Sequence, residues 1–303
     1  MTGAGADVQF HTIPNVNDLN IRASVESGQP LTFHAGYALD DGAERLEYAT
    51  DKGVIKIRRE RARPSSLQYS FTGGYTWRSA RDEITTRFGL SHDMHQIYSR
   101  IRTDSFMESA VSSLYGMRVT ENRPWEAALC FIVSQFNNMK RIRGTIRSMV
   151  HRFGDDIETD GVEARLFPSP EAISNASVAD LMACGAGFRA RYIKNAAHVF
   201  AENPELSSMH GLEYDELKKR LMGIGGVGDK VADCILLFGY GKHEAFPVDV
   251  WIKRVVEEVY FNGKGQKAAS IHDFANERWG KHAGYAQQYI FEFGRRNKIG
   301  VRK

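Results

Sequence analysis

The segment running from Leu221 to Trp251, LMGIGGVGDKVADCILLFGYGKHEAFPVDVW, restricts the possible folds more than any other part of the chain. Gly225, Gly226 and Gly228 cluster between two stretches whose apolar residues recur at helical spacing. Glycine accepts φ > 0 and lets one backbone come close to another. The cluster therefore reads as a tight turn between two helices. The second helix opens at Asp229 and continues through Val231, Ala232, Ile235, Leu236, Leu237 and Phe238. The first N–H groups of a helix have no partner within it. Gly225, Val227 and Gly228 are thus candidates to face a phosphate, or a monovalent or divalent cation that bridges to one. A plain helix–helix connection accounts for the glycines equally well.

Lys230 adds a chemical reading. It lies in the first turn of that helix, and Cys234 shares its face one turn later. A neutral lysine amine attacks carbon. Asp249 follows 19 residues after Lys230, in FPVDVW. Pro247 stiffens the approach, and Asp249 suits the cap of the next helix. Taken alone, the pair is equally a surface lysine and a helix cap.

The 303 residues allow one large or two ordinary domains. Within the first ~90 residues, β-type runs recur (LNIRASV, RLEYAT, GVIKIRR), separated by turns at Asp40-Asp41-Gly42 and Asp51-Lys52-Gly53. From about Phe88 the period becomes helical. Helices are expected in the region His92 to Leu114, from Pro124 onward, and in a series that ends with one starting near Gly284. The expected fold class is α+β. A small antiparallel β-rich domain, with a helix packed on its sheet, spans 1–90. A larger all-α domain spans 91–303, with the hairpin at 214–239.

Composition narrows the function classes. With 42% hydrophobic and 25% charged residues, the chain reads as a soluble globular protein. No run approaches the ~18 apolar residues of a membrane span, and MTGAGADVQF is not a secretory leader. An intracellular monomer without membrane attachment is expected. Three cysteines, far apart, give neither a disulfide framework nor an iron–sulfur ligand set, and no metal ligand is assigned. The net charge is only +3, yet Lys140, Arg141, Arg143, Arg147 and Arg152 crowd one segment. That segment is either a phosphate-binding face or a solvated helix face.

GVGDKVADC followed by PVDV resembles the hairpin and catalytic turn of the eukaryotic-type 8-oxoguanine DNA glycosylase/AP lyases, a branch of the helix-hairpin-helix glycosylases. FIVSQFNNMKRIRG, GFRARY, AGYAQQYIF and SGQPLTF resemble further segments of that family, in the same order. The resemblance implies a base-excision enzyme that flips 8-oxoguanine out of damaged duplex DNA, preferably opposite cytosine, and needs no cofactor. Lys230 would attack the sugar, form a Schiff base and permit β-elimination. Asp249 would stabilise the developing positive charge. Cys234 and Phe291 would sandwich the flipped purine, Gln287 would bond its Watson–Crick edge, and the Gly28 carbonyl would accept from N7–H. Arg141 and Arg189 would read the orphaned cytosine. Phe188 would prop the stack, and Asn137 and Asn138 share the loop with Phe136.

The sequence departs from the family pattern in three places. Phe136 replaces an asparagine that fills the vacated space, which weakens the implied preference for cytosine. Trp251 replaces a histidine, and Phe33 replaces a tryptophan. Two other functions fit part of the evidence. One is a glycosylase for alkylated or deaminated purines, favoured by the aromatic residues Phe136, Trp251, Tyr285 and Phe291. The other is a non-catalytic helix-hairpin-helix DNA-binding module, which the pairing of Lys230 with Asp249 argues against.

Overall fold

The computed structural model describes residues 9–30, 34–40 and 43–301. Phe33 and the Asp41-Gly42 part of the first expected turn lie outside the described residues.

The N-terminal part consists of β1 (His11–Pro14), α1 (Ile21–Glu26), β2 (Gly36–Asp40), β3 (Ala43–Thr50), β4 (Gly53–Glu60), β5 (Ser66–Phe71) and α2 (Trp77–Arg87). The strands form one antiparallel sheet in the order β1-β5-β4-β3-β2. Alternate residues face one side of the sheet, as the strand period requires. Leu46, Tyr48, Ile55, Ile57, Leu67 and Tyr69 are buried there against Ile21 and Val25 of α1 and Ala80 and Ile84 of α2. The helix expected on the sheet is therefore two helices. α2 starts where Thr76 and Ser79 cap each other reciprocally.

The remainder is largely helical: α3 (Met94–Ile101), α4 (Ser105–Ser113), α5 (Pro124–Ser134), α6 (Met139–Phe153), α7 (Pro170–Asn175), α8 (Val178–Ala183), α9 (Ala190–Glu202), α10 (Tyr214–Met222), α11 (Asp229–Tyr240), α12 (Val250–Tyr260), α13 (Ala268–Trp279) and α14 (Ala283–Asn297). One feature departs from the expected all-α region. Strands β6 (Asp156–Thr159) and β7 (Val162–Arg165) form a hairpin around Asp160-Gly161. Both turn residues have positive φ, 53° and 74°, the backbone a two-residue hairpin turn demands. The hairpin rests on the N-terminal sheet through Thr72 and Thr159 hydroxyls 2.6 Å apart and an Asp160 carboxylate accepting from Gly73 N–H.

Helices α5 and α11 are apolar on nearly every face and form the centre of the second core. Gly239 lets them approach, since a Cβ there would lie 3.0 Å from Pro124 Cα. The two cores are tied by buried polar contacts. Arg87 donates to Glu126 at 2.9 Å and to Asn122 at 3.1 Å. Buried Gln29 donates to the carbonyls of Ser24 and Arg118 and accepts from Thr120 N–H at 2.6 Å.

Candidate active site

The hairpin joins α10 to α11 as the glycines foretold. Gly226 has φ 95°, and a Cβ there would lie 2.4 Å from Tyr192 Cβ, so the turn closes only with glycine. Val227 donates its N–H to Ile224 O, and the Gly226 carbonyl accepts from the Gln135 side chain at 3.0 Å. Gly228 caps α11 with extended backbone and open space around its Cα. Val227 is buried.

A cleft of about 950 Å³ opens beside the start of α11. Lys230, Cys234, Asp249, Gln287, Phe291 and Gly28 all line it. Four separate stretches of sequence, including one from the N-terminal part, thus converge on one space. Lys230 Nζ donates to Ser134 Oγ at 3.1 Å and lies 5.2 Å from the centroid of the Phe131 ring. Neither Ser134 nor Phe131 stood out in the sequence. Ser134 ends a helix whose preceding run, Ala127 to Val133, is apolar, and that change of character is its one local signal.

Asp249 caps α12, accepting from Ile252 N–H at 2.7 Å. Burial raises its carboxyl above the ordinary aspartate range, while the Lys230 charge and the helix N–H groups pull it back. Burial likewise pushes the Cys234 thiol up to about 12, against a lowering contribution from Lys230. Cys234 therefore presents a neutral sulfur to the cleft rather than a thiolate.

Two further groups shape the recognition side. Gln287 is buried; its Nε2 donates to Pro247 O at 3.3 Å, and its Oε1 has no hydrogen-bond partner. A buried acceptor left unpaired costs ~1–3 kcal/mol, so the cleft is built to receive a donor there. Gly28 has φ 79°, and a Cβ on it would meet Met139 Cε at 3.2 Å and Phe291 Cε1 at 3.4 Å. Gln288 anchors this turn by donating to Ser27 O at 2.9 Å. Trp251 also lines the cleft, with the Arg254 guanidinium 5.7 Å from its ring centroid.

The loop residues fall beside the cleft, with one difference from expectation. Phe136, Asn137 and Asn138 line the rim, and Phe188 projects 6.4 Å from Phe136, centroid to centroid. Arg141 is exposed at the start of α6. Arg189, expected to read an orphaned base, is instead buried and turned inward. Its guanidinium donates to the carbonyls of Gln135 (2.6 Å), Phe136 (3.0 Å) and Ala186 (3.2 Å). Three backbone acceptors outcompete solvent for a donor-only side chain.

Among the described residues, Asp229, Asp233 and His272 are close enough together to hold a metal ion. The Lys218 ammonium already sits 2.8 Å from both carboxylates, so a cationic partner is in place.

The fold and this constellation set a lysine amine and a carboxylate at one cleft beside a helix-hairpin-helix turn. Residues 129–281 match the HhH-GPD superfamily of base excision DNA repair proteins, and the chain belongs to that superfamily. It is 31% identical to the probable N-glycosylase/DNA lyase of Methanothermobacter thermautotrophicus, over 94% of this chain and 96% of that one. It is 30% identical to the N-glycosylase/DNA lyase of Saccharomyces cerevisiae, covering 91% of this chain and 84% of that one. The structure superposes with a TM-score of 0.85 on the Clostridium acetobutylicum 8-oxoguanine glycosylase/lyase, solved with double-stranded DNA carrying cytosine opposite the lesion. That pair shares 25% identity and covers 97% of this chain and 99% of the other.

Proposed function

We propose that this protein is a bifunctional DNA glycosylase and AP lyase that excises 8-oxoguanine from duplex DNA. The observation that carries the reading is the convergence of Lys230, Asp249, Cys234, Gln287, Phe291 and Gly28 on one cleft. A base inside a duplex is out of reach, so it is flipped into the cleft. The Gly28 carbonyl accepts the N7–H that 8-oxoguanine has and guanine lacks. Guanine would set a lone pair against that acceptor, an unpaired contact the site rejects. Gln287 Oε1 takes a donor from the Watson–Crick edge. Cys234 and Phe291 hold the two faces of the ring.

As the N-glycosidic bond lengthens, positive charge develops on the sugar, and the Asp249 carboxylate stabilises it. Lys230 Nζ bonds to C1′, and the glycosidic electron pair leaves with the base. Loss of an amine proton and opening of the sugar ring give the Schiff base. Removal of a C2′ proton then expels the 3′ phosphate, and hydrolysis frees the lysine. No cofactor enters these steps. A monovalent or divalent cation at the hairpin turn, around Gly225, Val227 and Gly228, would contribute only to phosphate binding.

The test is a single-turnover assay on a duplex with one 8-oxoguanine opposite cytosine. Wild type releases the base and nicks the strand, and Lys230→Gln does neither. Release of an alkylated purine from a second duplex, with 8-oxoguanine untouched, moves the assignment to alkylation repair.

A further inference from the structure

Extruding a base leaves a gap in the stack and a partner base without its mate. What occupies the gap decides how strongly that partner is read. The segment from Gln135 to Asn138 borders the cleft that, on the glycosylase reading, receives the extruded base. Its polar side chains are tied to the protein itself. Gln135 donates to Gly226 O, Asn137 donates to Val133 O at 3.0 Å, and Asn138 Oδ1 accepts from Arg141 N–H at 3.1 Å. Asn137 Oδ1 accepts from Asn138 N–H at 3.0 Å.

Phe136 is the exception, 93% exposed at φ 46°. A bulky side chain at positive φ is rare and persists only where its surroundings enforce it. Arg189 does so by binding the Gln135 and Phe136 carbonyls, while its guanidinium stacks 4.5 Å from the Phe188 ring centroid. Phe188, itself 57% exposed, stands beside Phe136. The loops therefore present two rings outward, while Gln135 and Asn137 turn their amides to backbone carbonyls and the exposed Asn138 spends its Oδ1 on the start of α6.

We propose that Phe136, propped by Arg189 and flanked by Phe188, is an aromatic wedge that fills the gap by stacking, so that the enzyme tolerates any base opposite the lesion. A phenyl ring stacks on every base. Of the two arginines the sequence singled out as base readers, only Arg141 presents its guanidinium outward. Arginine donates and never accepts, and all four bases carry acceptors on exposed edges. Arg141 alone thus confers at most a small preference for cytosine. The proposal rests on the glycosylase reading for its biological meaning, but the wedge is testable without any lesion.

The experiment measures affinity, at one salt concentration, for four duplexes carrying a tetrahydrofuran abasic analogue opposite cytosine, adenine, guanine or thymine. Wild type binds all four within about fivefold, no more than the weakest good bidentate base contact would give. Phe136→Ala weakens all four alike, by roughly 5- to 150-fold. Phe136→Trp retains binding, and Arg141→Ala narrows the residual spread. A wild-type preference above about fivefold for one partner, or a Phe136→Ala loss confined to one partner, overturns the proposal. The same four partners opposite 8-oxoguanine then give excision rates. Absence of excision there overturns the substrate assignment and leaves the affinity result standing.

Discussion

Asp249 joins three demands in one side chain: it caps α12, interacts with the Lys230 charge and sits in a poorly solvated place. A carboxyl whose pKa is raised on folding destabilises the fold when ionised. The penalty is fully present above its folded pKa and is relieved as pH falls through that pKa towards the unfolded value. Asparagine caps a helix as well as aspartate. Asp249→Asn is therefore expected to be more stable than wild type near neutral pH, with the gain vanishing in acid, as urea unfolding at pH 7.5 and pH 4 will show. Base release by the same variant should fall on the order of 10²- to 10³-fold, the usual loss when a charge-stabilising group is removed. Equal stability at both pH values would show that burial does not govern this carboxyl. Gly28→Ala tests the recognition side. A left-handed backbone costs a non-glycine residue about 1–2 kcal/mol, and the added Cβ presses on Met139 and Phe291. The expected result is a lower melting temperature together with slower excision.

At the level of elements, the hairpin was legible because its physics is local. A glycine cluster, an apolar helix face and a carboxylate cap are all written within residues 221–251. Most of the helices were legible for the same reason. The β6–β7 hairpin was not read, although Asp160-Gly161 is a turn signal, because its strands are four residues each and amid helices. Arg189 misled because sequence cannot show whether a guanidinium turns to solvent or to a neighbouring loop's carbonyls. The charge network behind α11 was equally invisible, since Lys218 of α10, Asp233 of α11 and His272 of α13 meet only on folding. Lys218 and Tyr214 both donate to the buried Asp233. Lys218→Met leaves that carboxylate without its cation and is expected to destabilise the protein by about 3–5 kcal/mol. Adding Asp233→Asn should recover much of the loss in denaturant unfolding. A Lys218→Met variant of wild-type stability would show that the network does not hold α10 against α11.

For the whole molecule, the cleft lies where the N-terminal part meets the helical part. Gly28 comes from one, and Lys230, Asp249, Cys234, Gln287 and Phe291 come from the other. Gln29 and Gln288 fix that meeting from either side. On α6, Lys140, Arg141 and Arg147 are basic and exposed. Affinity for duplex should therefore fall as salt rises, and Lys140→Ala should reduce the slope of log K against log[salt] by about 1. An unchanged slope would remove Lys140 from the phosphate contacts. Lys140 also lines the cleft and is the rival amine to Lys230. The most direct test of the account is to trap the reaction on 8-oxoguanine DNA with borohydride and locate the reduced sugar by peptide mass spectrometry. The account predicts a single adduct on Lys230, absent in Lys230→Gln. An adduct on Lys140, or one that persists in Lys230→Gln, would contradict it.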